Sequence, residues 1–335
     1  MLKRIISLLP LIMCFACKLY AQTIVPSIDL QQQMCEEECT FLSQMDPQLQ
    51  HRQSEAIKVA MQGDTTALMQ IRRSRNQAPT INDGVKMHYV SPTLCLFLPK
   101  QDEGKLRPLL VYFHGGGWCF GSINSCAKFC AEVACAANCG VLAVDYRLAP
   151  AYPFPAALND CVAAYQFARS HATEWGIDAT HILVGGDSAG GQLALATALS
   201  EPSVRAVIPI YPVTKLYAEP TPSWQQYAQG YGNDAELMHT FNRAYAGQQT
   251  HHPLASVALT PDSALTKLPP VLFIAAGHDV LYDQGRAFVS RLVSLHHPVE
   301  DHMFPTATHL FITVPGQPTA FAEAVKIVAS YIRKN

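Results

Sequence analysis

This chain is poor in charge. Of its 335 residues 15% are charged, and the formal net charge is -2. That balance gives no reason to invoke nucleic acid or an anionic membrane surface. The signatures that cradle nucleotide phosphates are missing as well. No Gly-Lys-Ser or Gly-Lys-Thr follows a glycine-rich turn, and GxGxxG spacing does not occur. Internal repeats and low-complexity tracts are absent, which excludes solenoids and disordered arrays. No apolar run reaches the roughly 20 residues that span a bilayer. What remains is a 49% hydrophobic chain, long enough to bury one large α/β core.

Cysteine is present, but without the spacing of a metal site. Cys126, Cys130, Cys135 and Cys139 follow an x3, x4, x3 pattern that matches no CxxC zinc arrangement. They fit a helix from about Asn124 to Asn138, closed at Gly140, with cysteine used as a small buried apolar residue. Neither a metal nor a cofactor is expected. Cys35 and Cys39 form a local disulfide or an exposed thiol pair, and the sequence leaves both open.

The first 21 residues read as a leader. Lys3-Arg4 are a positive start, Ile5 to Phe15 an apolar stretch, and Leu19-Tyr20-Ala21 a cleavage site before Gln22. Export to the periplasm or medium is therefore expected. Cys14 and Cys17 offer a lipoprotein alternative, although neither has a small-residue approach. Cleavage would leave nine cysteines, so at least one thiol would stay unpaired within a single chain.

Beyond the leader, residues 22–84 are polar and Gln-rich, with helical patches such as Glu55 to Met69, and are expected to cover the core as part of a cap. Val85–Val90 and Thr93–Leu98 read as an opening hairpin. From Leu109 onward apolar strands alternate with helices, the rhythm of a mostly parallel sheet. The rhythm breaks at about 213–258, an insertion carrying Trp224, Tyr227, Tyr231, Phe241 and Tyr245. An insertion of this size at the C-terminal edge of a sheet suits a lid or binding element.

Chemistry concentrates where His181–Gly185, an apolar strand, runs into Gly186-Asp187-Ser188-Ala189-Gly190. A serine flanked by small residues between strand and helix suits a nucleophile held in strained backbone, because bulk beside it would clash. Upstream, the strand Leu109–Phe113 leads into His114-Gly115-Gly116-Gly117-Trp118. Successive glycines let N–H groups converge on a developing oxyanion.

These blocks, with Val144-Asp145-Tyr146-Arg147-Leu148-Ala149-Pro150 and Tyr152-Pro153-Phe154-Pro155-Ala156-Ala157 plus Asp160 between them, resemble the hormone-sensitive-lipase-like esterases of the α/β-hydrolase fold. The resemblance runs from about Pro92 to the C-terminus. It departs at Ala151, where the family usually has Glu, and at Leu310, where it has Gly after the histidine. It implies an α/β-hydrolase core at 85–335, a mostly parallel sheet flanked by helices under a helical cap, and a cofactor-independent serine esterase.

A serine hydroxyl needs a histidine to take its proton and an acid to fix that histidine, in the chain order Ser, Asp, His. Asp279, just past the strand Pro270–Gly277, is the expected acid. Asp283, a charge in a helix's first turn, is the runner-up. His309 is the expected base, in a loop Pro305–Thr308 after a last strand Val299–Phe304. His296, His297 and His302 read as structural, His278 as a variable loop residue, and His114, by the resemblance, as a brace for the glycine loop. Backbone N–H groups of Gly116, Gly117 and Ala189 are the expected oxyanion donors, with Gly115 a weaker one. Trp118, Trp224, Tyr227 and Tyr231 are the substrate-contact candidates, the last three sharing one helix face. The expected reaction is hydrolysis of short- to medium-chain esters through an acyl-enzyme. A polysaccharide deacetylase, an amidase, a thioesterase and a non-catalytic binding protein on the same fold are the rivals.

Overall fold

Helices open the chain: α1 (Ile28–Gln44), α2 (Leu49–Ala60) and α3 (Thr66–Arg75). The computed structural model describes residues 22–101 and 104–335, so the expected leader at 1–21 lies outside the described residues. The helical run expected across Glu55 to Met69 is in fact two helices. Gly63 takes φ 113°, a conformation that glycine adopts without penalty and that ends a helix. Asp64 Oδ1 then accepts the Thr66 N–H and starts α3.

The strands are β1 (Val85–Ser91), β2 (Leu94–Pro99), β3 (Arg107–Phe113), β4 (Gly140–Val144), β5 (Ile177–Asp187), β6 (Val207–Ile210), β7 (Val271–His278) and β8 (Val299–Thr308). They form one eight-stranded sheet in the order β1-β2-β4-β3-β5-β6-β7-β8. The β1–β2 hairpin and the β2–β4 pair are antiparallel, and all other pairs are parallel. The helices are α4 (Ile123–Ala137), α5 (Ala156–His171), α6 (Ala189–Ser200), α7 (Pro222–Gln226), α8 (Ala235–Ala246), α9 (Asp262–Leu265), α10 (Tyr282–Ser294) and α11 (Pro318–Lys334).

Side chains of one strand alternate between two cores. Leu109, Val111 and Phe113 of β3 join α5, α6 and α10, whereas Leu110 and Tyr112 join α4 and α11. A sheet covered on both faces needs continuous apolar strands, which is why these runs carry no polar alternation. Each such side chain contributes about 1.5–3 kcal/mol on burial.

Two expected boundaries move. Helix α4 stops not at Gly140 but at Asn138, left-handed at φ 50°, ψ 47°, and Gly140 opens β4 instead; asparagine tolerates that conformation. Within this stretch Cys126, Cys130 and Cys139 are buried as expected, but Cys135 is exposed. Cys35 and Cys39 are both free and exposed on α1. Strand β8 runs on past Phe304, through Pro305, to Thr308. It can do so because proline costs little near a sheet margin, and because the β7 register slips between Ala276 and His278, a bulge that lets Gly277 pass close to Pro305. A Cβ at 277 would fall 2.2 Å from the Pro305 carbonyl oxygen. At the same margin Ile24 pairs in parallel with His302, its N–H donating to Asp301 O and its carbonyl accepting from Met303.

Candidate active site

Strand β5 ends at Asp187, and Ser188 turns the chain into α6 with φ 56° and ψ -117°. A serine pays for such backbone only where its surroundings enforce it. Here they do, because the turn lies hard against the end of β3. A Cβ on Gly190 would sit 1.9 Å from the Phe113 carbonyl oxygen, and one on Gly186 2.3 Å from it.

His309 follows β8 directly, and its Nε2 lies 2.7 Å from Ser188 Oγ. Its Nδ1 lies 2.6 Å from Asp279 Oδ2, at the end of β7. All three residues are buried. An ionised carboxylate can only accept, so Nδ1 carries the proton and Nε2 presents its lone pair to the serine hydroxyl. The Tyr211 ring packs 4.6 Å from the imidazole. The other oxygen of Asp279, Oδ1, accepts the Leu281 N–H at 3.0 Å, and Asn233 Nδ2 lies 3.5 Å from it. Asp283 is engaged elsewhere. It accepts the Ser223 N–H at 2.7 Å, and its own N–H donates to Ser223 Oγ at 3.1 Å.

The glycine loop runs beside Ser188. Among the described residues the N–H groups of Gly116, Gly117 and Ala189 meet no protein acceptor. Gly115 is different, and its expected role as a donor is corrected. Its N–H is spent on Asp187 Oδ1 at 3.0 Å, an oxygen that also accepts from Tyr112 OH at 2.8 Å. His114 stacks on Tyr146 at 4.3 Å, and its Nδ1 lies 2.8 Å from Gly115 O. Burial lowers its affinity for a proton, so the neutral ring donates Nδ1–H to that carbonyl.

Asp187 is a site residue that the motif alone did not single out. Its burial pushes the carboxyl above the ordinary value, against the opposing pull of Tyr112. A carboxyl raised on folding contributes stability when protonated, fully present below the unfolded value and lost as pH rises through the folded one. Asp187→Asn keeps the acceptor for Tyr112 and Gly115 without that loss. The melting temperature of the variant, relative to the native protein, should therefore climb from about pH 4 upward. A difference that shrinks with pH between 4 and 8 would contradict the assigned direction.

The aromatic candidates do not gather as expected. Trp118 is wholly buried, stacks on Tyr245 at 4.4 Å, and donates Nε1–H to Gln192 Oε1 at 3.0 Å. It braces the core and presents no surface to a ligand. Trp224, Tyr227 and Tyr231 share no helix face, because α7 is five residues long and ends before Tyr227. Trp224 meets His239, while Tyr227 and Tyr231 pack on each other and on His278. Of the aromatics between β6 and β7, it is Phe241 of α8 that reaches the glycine loop. A Cβ on Gly117 would fall 2.3 Å from its ring carbons, so that ring walls the glycine loop.

Among the described residues one set of metal-competent side chains converges, His51, Glu55 and Glu236, all exposed. The Lys58 ammonium already pairs with Glu55 and Glu236 at 2.8 and 2.7 Å. No helix among the described residues is long and apolar enough to cross a membrane.

A sequence model of the alpha/beta hydrolase fold matches residues 110–313, a span that includes Ser188, Asp279 and His309. The chain belongs to the hormone-sensitive-lipase-like α/β hydrolases. Relatives of this hydrolase include Esterase LipI of Mycobacterium tuberculosis, 35% identical over 68% of this chain and 71% of its own. An arylesterase of Saccharolobus solfataricus is 34% identical over 67% and 74%, and an ethyl acetate hydrolase of Pseudomonas putida 34% over 65% and 70%. Among solved structures, an ester hydrolase from the metagenome of Lake Arreo superposes with TM-score 0.71 at 27% identity, over 84% of this chain and 96% of that one. A thermostable esterase from Pseudomonas putida, at 23% identity and TM-score 0.72 over 85% and 96%, shares the fold of this hydrolase.

Proposed function

We propose that this hydrolase is an exported serine esterase acting on short- to medium-chain carboxylic esters through an acyl-enzyme. One observation carries the reading: the hydrogen-bonded line Ser188 Oγ, His309 Nε2, His309 Nδ1, Asp279 Oδ2, beside the free N–H groups of Gly116, Gly117 and Ala189. In the first half-reaction His309 Nε2 takes the Ser188 proton as Oγ attacks the ester carbonyl. The tetrahedral oxyanion rests on the three N–H groups, and the alcohol leaves with the proton from His309. In the second, water gives its proton to His309 and displaces the acyl group, and Ser188 regains its hydrogen. Asp279 keeps the imidazole in the tautomer this needs and supports its transient positive charge.

Residues 22–84 together with the insertion at 213–258 form the cap in this reading. Its support is that α2 meets α8 through Ser54 Oγ and Thr240 Oγ1, 2.7 Å apart, and through Lys58 and Glu236. Export rests on the leader pattern at 1–21, and N-terminal sequencing of the secreted protein should begin at Gln22. The small acyl preference is supported by Phe241, which closes the space over Gly117, and by a relative named for ethyl acetate.

Phe241→Ala should therefore raise the octanoate-to-acetate ratio of kcat/KM by about tenfold, within the 1–3 kcal/mol that an apolar pocket contact is worth. An unchanged ratio would place the acyl group elsewhere. The reading as a whole is tested with p-nitrophenyl esters from acetate to palmitate, run beside a peptide and an acetylated sugar. Ester hydrolysis that fades beyond medium chains is expected, and no ester turnover at all would refute it.

A further inference from the structure

Glu38 of α1 is buried, 3% exposed, and far from any sequence motif. Both its oxygens lie at hydrogen-bond distance from His278 Nδ1, 2.7 and 2.8 Å. It has no other hydrogen-bond partner among the described residues. A buried carboxylate is retained only where something holds it, and here that group is the residue immediately before Asp279. A carboxylate accepts, so His278 donates its Nδ1–H to Glu38. The imidazole also packs against Tyr227 and Tyr231, with ring centroids at 5.3 and 5.8 Å.

The register across β7 and β8 shows why this matters. After the bulge at Gly277, His278 pairs with Thr308. Each of these two residues immediately precedes one member of the Asp279–His309 pair, so their alignment sets how the carboxylate meets the imidazole. Thr308 has a clamp of its own. Its N–H donates to Gln317 Oε1 at 3.0 Å, and its Oγ1 accepts from Gln317 Nε2 at 2.7 Å. Two residues on, Thr319 donates through N–H and Oγ1 to Glu37, the neighbour of Glu38 on α1. Adjacent glutamates on one helix thus hold the acid side and the base side of the site together.

We infer that Glu38, acting through His278, is a positioning residue for the Asp279–His309 pair, so that helix α1 is part of the catalytic apparatus and not only a cover. The inference rests on the esterase reading above. It requires that loosening the clamp slow the chemical step at each active site while leaving ester binding alone. A misplacement on the scale of 1 Å costs on the order of 100-fold in rate, so a partial one costs about 10- to 100-fold.

The test uses the full-length protein and counts working sites by fluorophosphonate titration of Ser188, so that misfolded molecules drop out. Glu38→Ala and His278→Ala should each lower kcat per titrated site by about 10- to 100-fold with KM within about twofold. The double variant should be no worse than the poorer single. Glu38→Gln keeps an acceptor, and His278→Asn keeps a donor where Nδ1 stood, so both should recover most of the loss. If Glu38→Ala does not fold, His278→Ala and His278→Asn carry the same comparison. Unchanged kcat per site, losses that appear only as fewer titratable sites, or losses that multiply in the double variant would each overturn the inference. Native protein that neither labels at Ser188 nor turns over esters would instead overturn the esterase reading itself.

Discussion

Ser188→Ala and His309→Ala are each expected to lower kcat by on the order of 10⁶-fold, with the double variant no lower than either single. The reason is the shared proton. Ser188 Oγ is 2.7 Å from His309 Nε2, its one basic partner among the described residues, so without the histidine the hydroxyl stays protonated at the moment of attack. Without the serine the histidine has nothing to activate on the correct side of the carbonyl. The residual rate should be that of an ester held against the N–H groups of Gly116, Gly117 and Ala189, still well above the reaction in water. Stopped-flow release of p-nitrophenol provides the check. The native protein should give a burst equal to its enzyme concentration if deacylation is the slower half, and both variants should give none. Turnover in Ser188→Ala within tenfold of native would sink the nucleophile assignment.

Asp279→Asn is expected to cost on the order of 10⁴-fold, because an amide at this position can donate to Nδ1 and favour the tautomer that turns Nε2–H toward the serine. Asp283→Asn should leave kcat nearly intact. Asp283 accepts the Ser223 N–H at the start of α7, and an amide oxygen can still do that. Any penalty should appear as lost thermal stability, about 1–3 kcal/mol if the bond to a charged acceptor is weakened. Comparing kcat/KM and melting temperature for the two variants separates the roles. The opposite ranking in kcat/KM would move the acid four residues along.

Much of this architecture was legible because it is local. Apolar strands alternating with helices state an α/β sheet, and the flanking glycines of Ser188 are demanded by neighbours a few ångströms away. The order Ser, Asp, His left four of the thirteen histidines, and position after the last strand singled out His309 as the expected base. What escaped depends on chain segments far apart in sequence. The Glu38–His278 contact joins residues 240 positions apart; helical spacing puts Glu38 on one stripe of α1 with Met34 and Phe41, but says nothing of the histidine it meets. Asp187 occupies an unconstrained position of its motif, and only the end of β3 shows that its oxygen consumes the Gly115 N–H. That the aromatic-rich stretch between β6 and β7 carries no strand was visible, but not its interior. Five residues of α7 cannot carry Trp224, Tyr227 and Tyr231 on one face, and the residue that meets the glycine loop, Phe241, stood in the same aromatic inventory with nothing to rank it first. Pro305 likewise read as the end of a strand, although a margin strand beside a bulge accommodates it.

The parallel pairing of Ile24 with His302 has a bearing on how this protein can be handled. Strand β8 is the outer strand on its side of the sheet, and an outer strand with open N–H and C=O groups invites other chains to add to it. Here the segment just before α1 occupies that edge with two backbone bonds. Thr23 Oγ1 reinforces it by donating to Asp301 Oδ2, a carboxylate that Arg286 grips with both guanidinium nitrogens. Trimming the chain to start at α1 would strip this guard while leaving every residue of the site in place. Such a truncation should still hydrolyse esters when fresh and dilute, and should be lost to self-association on concentration or storage.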